Sequence, residues 1–267
     1  MILSSSLLAF DAKNGFADWN TALQQATNAK FRRASRFSSA VLAGALTCLK
    51  NINEKNLKVY FGTANGDVQN VIDAQDSIFL EQRFPLPFSF INTLSGTSLF
   101  LLLQHLKKET LAINITHSYF AFEEILALAL MEQKNNEYAL IGVCDTWYQP
   151  FEKASKQLDK DACEFSSWLL LRKDKKSCVK FFANFDELTC EVKKFDCENL
   201  YFSPHFTNKE MVFLKKIATL VISNAPKVIT NQSAAIICEH FLHQKNRSLF
   251  YVGKDIRGGY SFVCVYA

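Results

Sequence analysis

The chain has 267 residues, of which 49% are hydrophobic and 21% are charged, and its net charge is +4. This composition excludes an intrinsically disordered protein and suffices for one large domain or two small ones. The basic residues are spread along the chain without a dense stripe, so we do not expect a nucleic-acid-binding protein.

Strand and helix patterns alternate in the first half of the chain. Strands are predicted where apolar runs are short or alternate with polar residues, and helices where apolar residues recur every three or four positions. The predicted strands are residues 1–10, 57–61, 111–117 and 139–144, and the predicted helices are residues 35–49, 94–106 and 119–131. The last two helices are almost wholly apolar, so we expect both to be buried.

The second half follows a polar connection at residues 148–160 and has the same mixture of patterns. Strands are predicted at 168–171 and 179–185, joined as a hairpin by a lysine-rich turn, and at 248–252 and 260–265, joined at Gly258-Gly259. Thr207 and Glu210 form a capping box before a helix, and another helix is predicted at 232–242. The alternation predicts an α/β protein with mixed sheets.

Eight cysteines raise the question of disulfides. Cys48, Cys144, Cys238 and Cys264 lie in apolar segments, where free cysteine packs as a small hydrophobic residue. No C-x-x-C pair occurs, so we predict no metal site. The N-terminal segment lacks the basic region of a signal peptide, and the longest apolar run, residues 99–103, is too short for a membrane span. We therefore expect a cytoplasmic protein.

The segment INITHSYFAFEE, residues 113–124, joins a strand directly to an apolar helix. Enzymes place nucleophiles at such an elbow because the N–H groups of the helix N-terminus can bind an oxyanion. Ser118 lies there, although a serine before an apolar helix more often caps it. His117 continues the apolar face of the strand, so we expect a partly buried histidine, not a base. His105 and His205 have no partner that the sequence identifies.

Five segments of the first half occur in an order and spacing that resemble the β-ketoacyl synthase superfamily, which has a thiolase-like fold. They are RRASRFSSAVLAGAL, VYFGTANGD, FPLPFSFINTLSGTSLFLLLQHL, INITHSYFAFEEILALAL and YALIGVCD. Pro85, Phe88 and Asn92 take places similar to those of a family segment, and GGYSFVCV is similar to the family's closing strand. The resemblance implies a layered α/β/α architecture with mixed sheets.

The resemblance also implies a division into two halves. Residues 1–150 match the first half of a ketosynthase, and residues 151–267 leave room only for a shortened second half, packed with the first as one compact unit. A full ketosynthase has two duplicated halves and is considerably longer than this chain.

The departures from the family pattern concern its catalytic residues. Active members carry a cysteine at the elbow and two histidines in later loops. Here the elbow position falls on Ser118, or within one residue on His117, and the loop that matches the last histidine-bearing loop, residues 225–235, contains no histidine. No His-Gly-Thr-like segment is present either. The resemblance therefore implies a subunit with no catalytic residues of its own, and no cofactor or metal is expected.

The function that the resemblance implies is that of a chain-length factor. Such a subunit pairs with an active β-ketoacyl synthase, which is served by an acyl carrier protein, and shapes a shared acyl tunnel in fatty-acid, polyketide or aryl-polyene synthesis. The candidates for the interface are Leu111, Ile113, Asn114, Ile115 and Thr116, and those for the tunnel are Phe88, Phe90, Phe120 and Phe122. Two alternatives stay open: an acyltransferase or thioester hydrolase with Ser118 as nucleophile, and a plain acyl-binding scaffold.

Overall fold

The computed structural model describes residues 1–11, 18–50, 52, 56–117, 119–146, 163–174, 176–195, 197, 199–226, 228, 231–244 and 248–266. Ten strands and nine helices occur within these ranges. No helix among them is long and apolar enough to cross a membrane.

The strands form two sheets of five. The strands are β1 (Ile2–Asp11), β2 (Leu57–Thr63), β3 (Ala112–Thr116), β4 (Tyr138–Asp145), β5 (Cys163–Arg172), β6 (Cys178–Phe182), β7 (Leu200–Phe202), β8 (Leu220–Val221), β9 (Leu249–Lys254) and β10 (Tyr260–Val265). The helices are α1 (Trp19–Ala26), α2 (Arg36–Cys48), α3 (Val68–Phe79), α4 (Pro87–Asn92), α5 (Gly96–Leu106), α6 (Ala121–Glu132), α7 (Phe185–Val192), α8 (Asn208–Ile217) and α9 (Gln232–His243).

The two sheets have the same topology. The first has the order β1-β5-β4-β2-β3 and the second has the order β6-β10-β9-β7-β8. In each sheet the fifth strand in chain order is antiparallel to its two neighbours, and the other pairings are parallel. The chain is therefore built from two halves with one strand plan.

A layer of two helices separates the sheets. Helices α6 and α9 occupy equivalent places, between the third and fourth strands of their respective halves. Both pack between the sheets in one apolar cluster, in which Phe122 and Ile125 of α6 and Ile237 of α9 meet Leu169 of the first sheet and Val263 of the second. Burial on both sides explains why α6 and α9 are apolar over most of their surface.

Outer helices cover the remaining face of each sheet. Helices α1, α2 and α5 pack on the first sheet, and α7 and α8 pack on the second. Trp168 of β5 anchors the first of these layers against two glycines, because a Cβ atom on Gly142 would lie 2.1 Å from the indole ring and one on Gly44 would lie 2.6 Å from it. The result is an arrangement of five layers, α/β/α/β/α.

Local signals place several helix ends as predicted. Ser35 caps α2 by accepting a hydrogen bond from the N–H group of Ser38 at 3.0 Å. The capping box of Thr207 and Glu210 is present at the start of α8. Gly258 turns the β9–β10 hairpin with a φ of +92°, a conformation that glycine adopts without strain.

Two predictions about helix burial and strand pairing are wrong. The predicted helix 94–106 is not fully buried, since Phe100 is 63% exposed. Strands β5 and β6 are not hairpin partners, because β5 pairs with β1 and β4 in the first sheet whereas β6 pairs with β10 in the second. The lysine-rich segment therefore connects the sheets. The predicted connection at 148–160 lies outside the described residues.

The two halves differ in the length of their strands. The second sheet keeps all five strands, but β7 and β8 have only three and two residues. This half is thus shortened within its elements, and no strand is missing. The first sheet also includes β5, which lies beyond residue 150, so the division at that residue stays a proposal.

Candidate functional site

The parallel strands β2, β3 and β4 end at the same edge of the first sheet, and polar side chains gather there. Asp145, the last residue of β4, is buried and accepts hydrogen bonds from the Thr63 hydroxyl at 2.8 Å and from the N–H groups of Ala64 and Asn65 at 2.8 and 3.3 Å. This carboxylate therefore fixes the turn that follows β2.

Asn231 reaches the same place from the second half. It is the N-cap of α9, is buried, and has left-handed backbone angles, φ 52° and ψ 41°. Its side-chain Nδ2 donates to Asp145 Oδ2 at 3.3 Å, and its Oδ1 accepts from the N–H group of Phe122 at 3.4 Å. Asn231 thus connects the first turn of α6 with the end of β4. The sequence analysis missed it, although it lies in the segment 225–235 that the resemblance matched to a functional loop.

The elbow itself differs from the prediction. Ser118 lies outside the described residues, and α6 begins at Ala121 with Phe120 as its N-cap. The expected helix start is therefore two residues too early, and the N-cap is not the residue that was predicted. His117 is partly exposed, and its Nδ1 accepts a hydrogen bond from the N–H group of Phe120 at 3.2 Å. The same atom lies 3.4 Å from Glu124 Oε1, to which it can donate only when it carries a hydrogen, and then it no longer accepts from Phe120.

A second histidine lies beside the elbow. The ring of His205, in the loop after β7, packs edge-on against Tyr119 with 6.0 Å between ring centroids. The sequence identified no partner for His205, and the structure shows that Tyr119 is one. His105 also has one, since its ring lies 5.1 Å from that of Phe31. Both contacts join residues that are distant in the sequence, so no local sequence pattern indicates them.

Glu123, in the first turn of α6, is a buried carboxyl group. Ser261 Oγ of β10 donates a hydrogen bond to Glu123 Oε1 at 3.4 Å, which connects this carboxyl group with the second half. Desolvation raises the pKa of Glu123 to about 7, against the lowering effect of its hydrogen bonds. A Cβ atom on Gly253 would lie 3.3 Å from this carboxyl group, so the pocket around it is closely packed.

The predicted tunnel residues fall into two groups. Phe120 and Phe122 are buried at the start of α6. Phe88 and Phe90 are on α4 and are 49% and 58% exposed. They belong to a longer run, residues 78–100, which we call the apolar segment. Its exposed members are Ile78, Phe79, Leu80, Phe84, Leu86, Phe88, Phe90, Ile91, Leu94 and Phe100.

The predicted interface strand, β3, is an edge strand of the first sheet. The N–H group of Val59 donates to Leu111 O, and the N–H group of His117 donates to Thr63 O. The backbone N–H and C=O groups of the odd-numbered residues thus point toward β2. Because backbone groups of successive residues point in opposite directions, those of the even-numbered residues, Ala112, Asn114 and Thr116, point away from β2. Ile113 and Ile115 pack against the central apolar cluster, and Asn114 Nδ2 donates to Oγ of Ser95, a residue of the apolar segment.

Two other residues of catalytic type, Cys144 and His240, lie away from the elbow. Cys144 adjoins Asp145 but is buried against the opposite face of the sheet, in the cluster of α2 and Trp168, where desolvation raises the pKa of its thiol well above its usual value. His240 of α9 is buried and contacts the hydroxyl of Tyr201 at 3.3 Å. In the described ranges, no group of three or more histidine, cysteine or acidic residues is arranged to hold a metal ion.

The geometry at the elbow therefore combines a helix N-terminus, the two imidazoles of His117 and His205, and a well-anchored asparagine. Asp145 is occupied as an acceptor on both of its oxygens, so its role is to hold Asn231 and the turn after β2. The sequence could have suggested Asp145, since it ends an apolar strand. Neither Glu123 nor His205 carried such a signal.

Comparison with known proteins was made by sequence and by structure. No protein-family model matches the sequence, and no match was found among curated proteins. Several solved structures have a similar fold. One is the ishigamide ketosynthase/chain length factor, with a TM-score of 0.65 and 13% identity over 94% of this chain and 84% of that chain.

Two further structures extend the likeness. The structure of a type II polyketide synthase acyl-carrier protein in complex with its ketosynthase gives a TM-score of 0.69 at 12% identity, over 97% of this chain and 86% of that chain. A protein described as an acyltransferase gives 0.61 at 11% identity, over 100% of this chain and 97% of that chain. The chain therefore has the ketosynthase-like, thiolase-type fold that the sequence resemblance predicts. Identities this low show the fold alone.

Proposed function

We propose that this chain is a ketosynthase-like subunit that pairs with an active β-ketoacyl synthase and acts as its chain-length factor. The observation that carries the proposal is the combination of β3, which has no strand partner on its outer edge among the described residues, with the exposed apolar segment beside it. An edge strand with unpaired N–H and C=O groups is a template for pairing with another chain. A contiguous apolar surface of this kind marks a protein–protein or ligand interface.

The tunnel part of the proposal follows from the placement of the phenylalanines. Phe88 and Phe90 are exposed in the single chain, so a partner that covers β3 and the apolar segment would bury them. Acyl chains are apolar and would pass along such a covered surface. The synthase would receive its acyl groups from an acyl carrier protein in the cytoplasm, for a product of the fatty-acid, polyketide or aryl-polyene type. The lack of a cysteine at the elbow supports a role without condensing activity.

Co-expression with a tagged β-ketoacyl synthase from the same organism tests the pairing. The wild-type chain is expected to co-purify with the synthase. Asn114→Pro removes an N–H group from the free edge and leaves the bonds to β2, so it is expected to abolish co-purification. Asn114→Ala, the matched control, loses the side-chain bond to Ser95 but keeps the edge N–H group, and it should still co-purify.

Two outcomes contradict the proposal. One is the absence of association between the wild-type chain and every synthase of the same cell. The other is condensation of malonyl and acyl carrier-protein thioesters by this chain alone. Thermal unfolding of Asn114→Pro shows whether that variant is folded. Phe88→Glu changes an exposed residue of the apolar segment. It is expected to abolish co-purification with the synthase independently of Asn114→Pro.

One observation favours a second candidate function, an acyltransferase or thioester hydrolase with Ser118 as nucleophile. A serine needs an adjacent base to be reactive at neutral pH, and His205 lies against Tyr119, the residue that follows Ser118. Labelling by a serine-reactive acyl probe tests this function. Labelling should be lost in Ser118→Ala and reduced in His205→Gln, with His243→Gln as the control. Equal labelling in all variants contradicts it.

A further inference from the structure

Two cysteines lie opposite each other on adjacent strands of the second sheet. Cys178, the first residue of β6, is the direct cross-strand partner of Cys264 in β10. Opposite residues of an antiparallel pair have Cα atoms about 4.5–5.5 Å apart, which lies within the range of about 4.4–6.8 Å that a disulfide spans. The backbone therefore already holds this pair at a separation that a disulfide can bridge.

The two thiols differ in access to solvent. Cys178 is partly exposed on an edge strand, whereas Cys264 is fully buried. The Cys264 thiol donates a hydrogen bond to the sulfur of Cys178, and Lys180 adds a favourable charge, so the pKa of Cys178 is lowered to about 7. Glu191 and Asp174 are the nearby acidic groups that oppose this lowering. The same hydrogen bond and burial raise the pKa of Cys264.

We propose that Cys178 and Cys264 form a redox modification site that peroxides convert to a cross-strand disulfide. The Cys178 thiolate attacks one peroxide oxygen, the O–O bond breaks, and hydroxide leaves, which gives a sulfenic acid on Cys178. The sulfur of Cys264 then attacks the sulfur of Cys178 and releases its proton, and the S–O bond breaks. Two thiols and one hydrogen peroxide give one disulfide and two waters.

The site is connected to the elbow by packing. Phe181 of β6 lies 5.9 Å, between ring centroids, from Phe120, the N-cap of α6. Since a disulfide would fix β6 to β10, the edge strand that packs on the elbow would lose freedom when the pair is oxidised. The proposal itself does not depend on the function proposed above.

Peptide mapping of the whole chain after treatment with hydrogen peroxide tests the site. The treated protein is unfolded, alkylated and digested without a reductant. We expect a linked peptide pair that contains Cys178 and Cys264, with a mass two hydrogen atoms below the sum of the free peptides, and its loss on reduction. Cys190→Ser, which removes an exposed cysteine elsewhere, serves as the control and should give the same linked pair.

Three outcomes overturn the proposal. Both thiols can remain alkylatable after a peroxide dose that oxidises Cys190. The linked pair can contain another cysteine instead, such as the neighbouring Cys197. Or Cys178 can proceed to the sulfinic acid while Cys264 stays reduced. Cys264→Ser is expected to stop at a sulfenic acid that a dimedone probe traps on Cys178, and the wild-type map remains decisive if that variant does not fold.

Discussion

Asn231 and Asp145 join the two halves of the molecule through a hydrogen bond of 3.3 Å between Nδ2 and Oδ2. Each of these residues also holds a backbone segment of the first half, since Asp145 binds the turn after β2 and Asn231 binds the N–H group of Phe122. One amide and one carboxylate therefore add polar contacts between the N-termini of α6 and α9 to the apolar packing of these helices.

Replacement of Asn231 should destabilise the protein in two separable ways. Asn231→Gly keeps the left-handed backbone but leaves Asp145 Oδ2 and the Phe122 N–H group without this partner, which costs about 1–3 kcal/mol. Asn231→Ala adds the strain of a left-handed non-glycine residue, about 1–2 kcal/mol more. Urea unfolding measures both. Equal stability of Asn231→Gly and wild type would show that the bridge contributes nothing.

Glu123 should make stability depend on pH. Its pKa in the folded state, about 7, lies above its usual value of 4.5. The folded state therefore binds the proton more tightly, and stability falls as pH rises from about 5 to about 8. Glu123→Gln removes this titrating group. The free energy of unfolding of the variant, relative to that of wild type, should therefore rise across that pH range by on the order of 3 kcal/mol. Urea unfolding of both proteins at several pH values tests this, and parallel curves would contradict it.

Gly142 should not tolerate a side chain. Its Cβ would lie 2.1 Å from the buried ring of Trp168, so Gly142→Ala should destabilise by about 1–3 kcal/mol or more. Gly96, at the start of α5, has open space around a Cβ atom, and Gly96→Ala should be neutral or stabilising by up to about 1 kcal/mol. Thermal unfolding of the two variants compares the same chemical change in both places. A loss of stability in Gly96→Ala alone would contradict the packing described here.

The apolar segment should drive self-association when the chain is alone. Phe84 is 95% exposed, so Phe84→Asp should shift the protein toward monomer while changing the free energy of unfolding by less than about 0.5 kcal/mol. Ile222→Asp is the control, because Ile222 is also exposed but lies outside the segment. Analytical ultracentrifugation distinguishes the variants. An equal effect of both substitutions would mean that general hydrophobicity, and not this surface, causes association.

The sequence predicted elements well where the information is local. The capping box of Thr207 and Glu210 is confirmed, because it depends on residues within one turn of helix. The type of most strands was also predictable from alternation. The predicted burial of residues 94–106 is wrong because hydrophobicity alone does not distinguish a core residue from an exposed one: Phe100 is as apolar as a core residue and faces outward.

The pairing of strands and the composition of the site were less predictable. Nothing in residues 163–182 indicates that β5 and β6 belong to different sheets, since both have strand patterns and a short connection. His205 and Tyr119, likewise, come together only because the loop after β7 packs on the elbow. Such contacts are determined by tertiary packing, and no local pattern in a single sequence predicts them.

Strands β7 and β8 are short, and short strands affect how readily this end of the second sheet opens. Only Leu200 with Leu220 and Tyr201 with Val221 pair between them, so few backbone hydrogen bonds hold this end of the second sheet. Elements with few such bonds open most readily, and we expect amide hydrogens here to exchange with deuterium faster than those of β4. The loop that carries His205 leaves from β7, so we expect the imidazole to move with this end of the sheet. Within the described ranges, His205 is the only histidine that the second half brings to the elbow. A bound acyl chain or partner that slows exchange in β7 and β8 would therefore also restrict this imidazole.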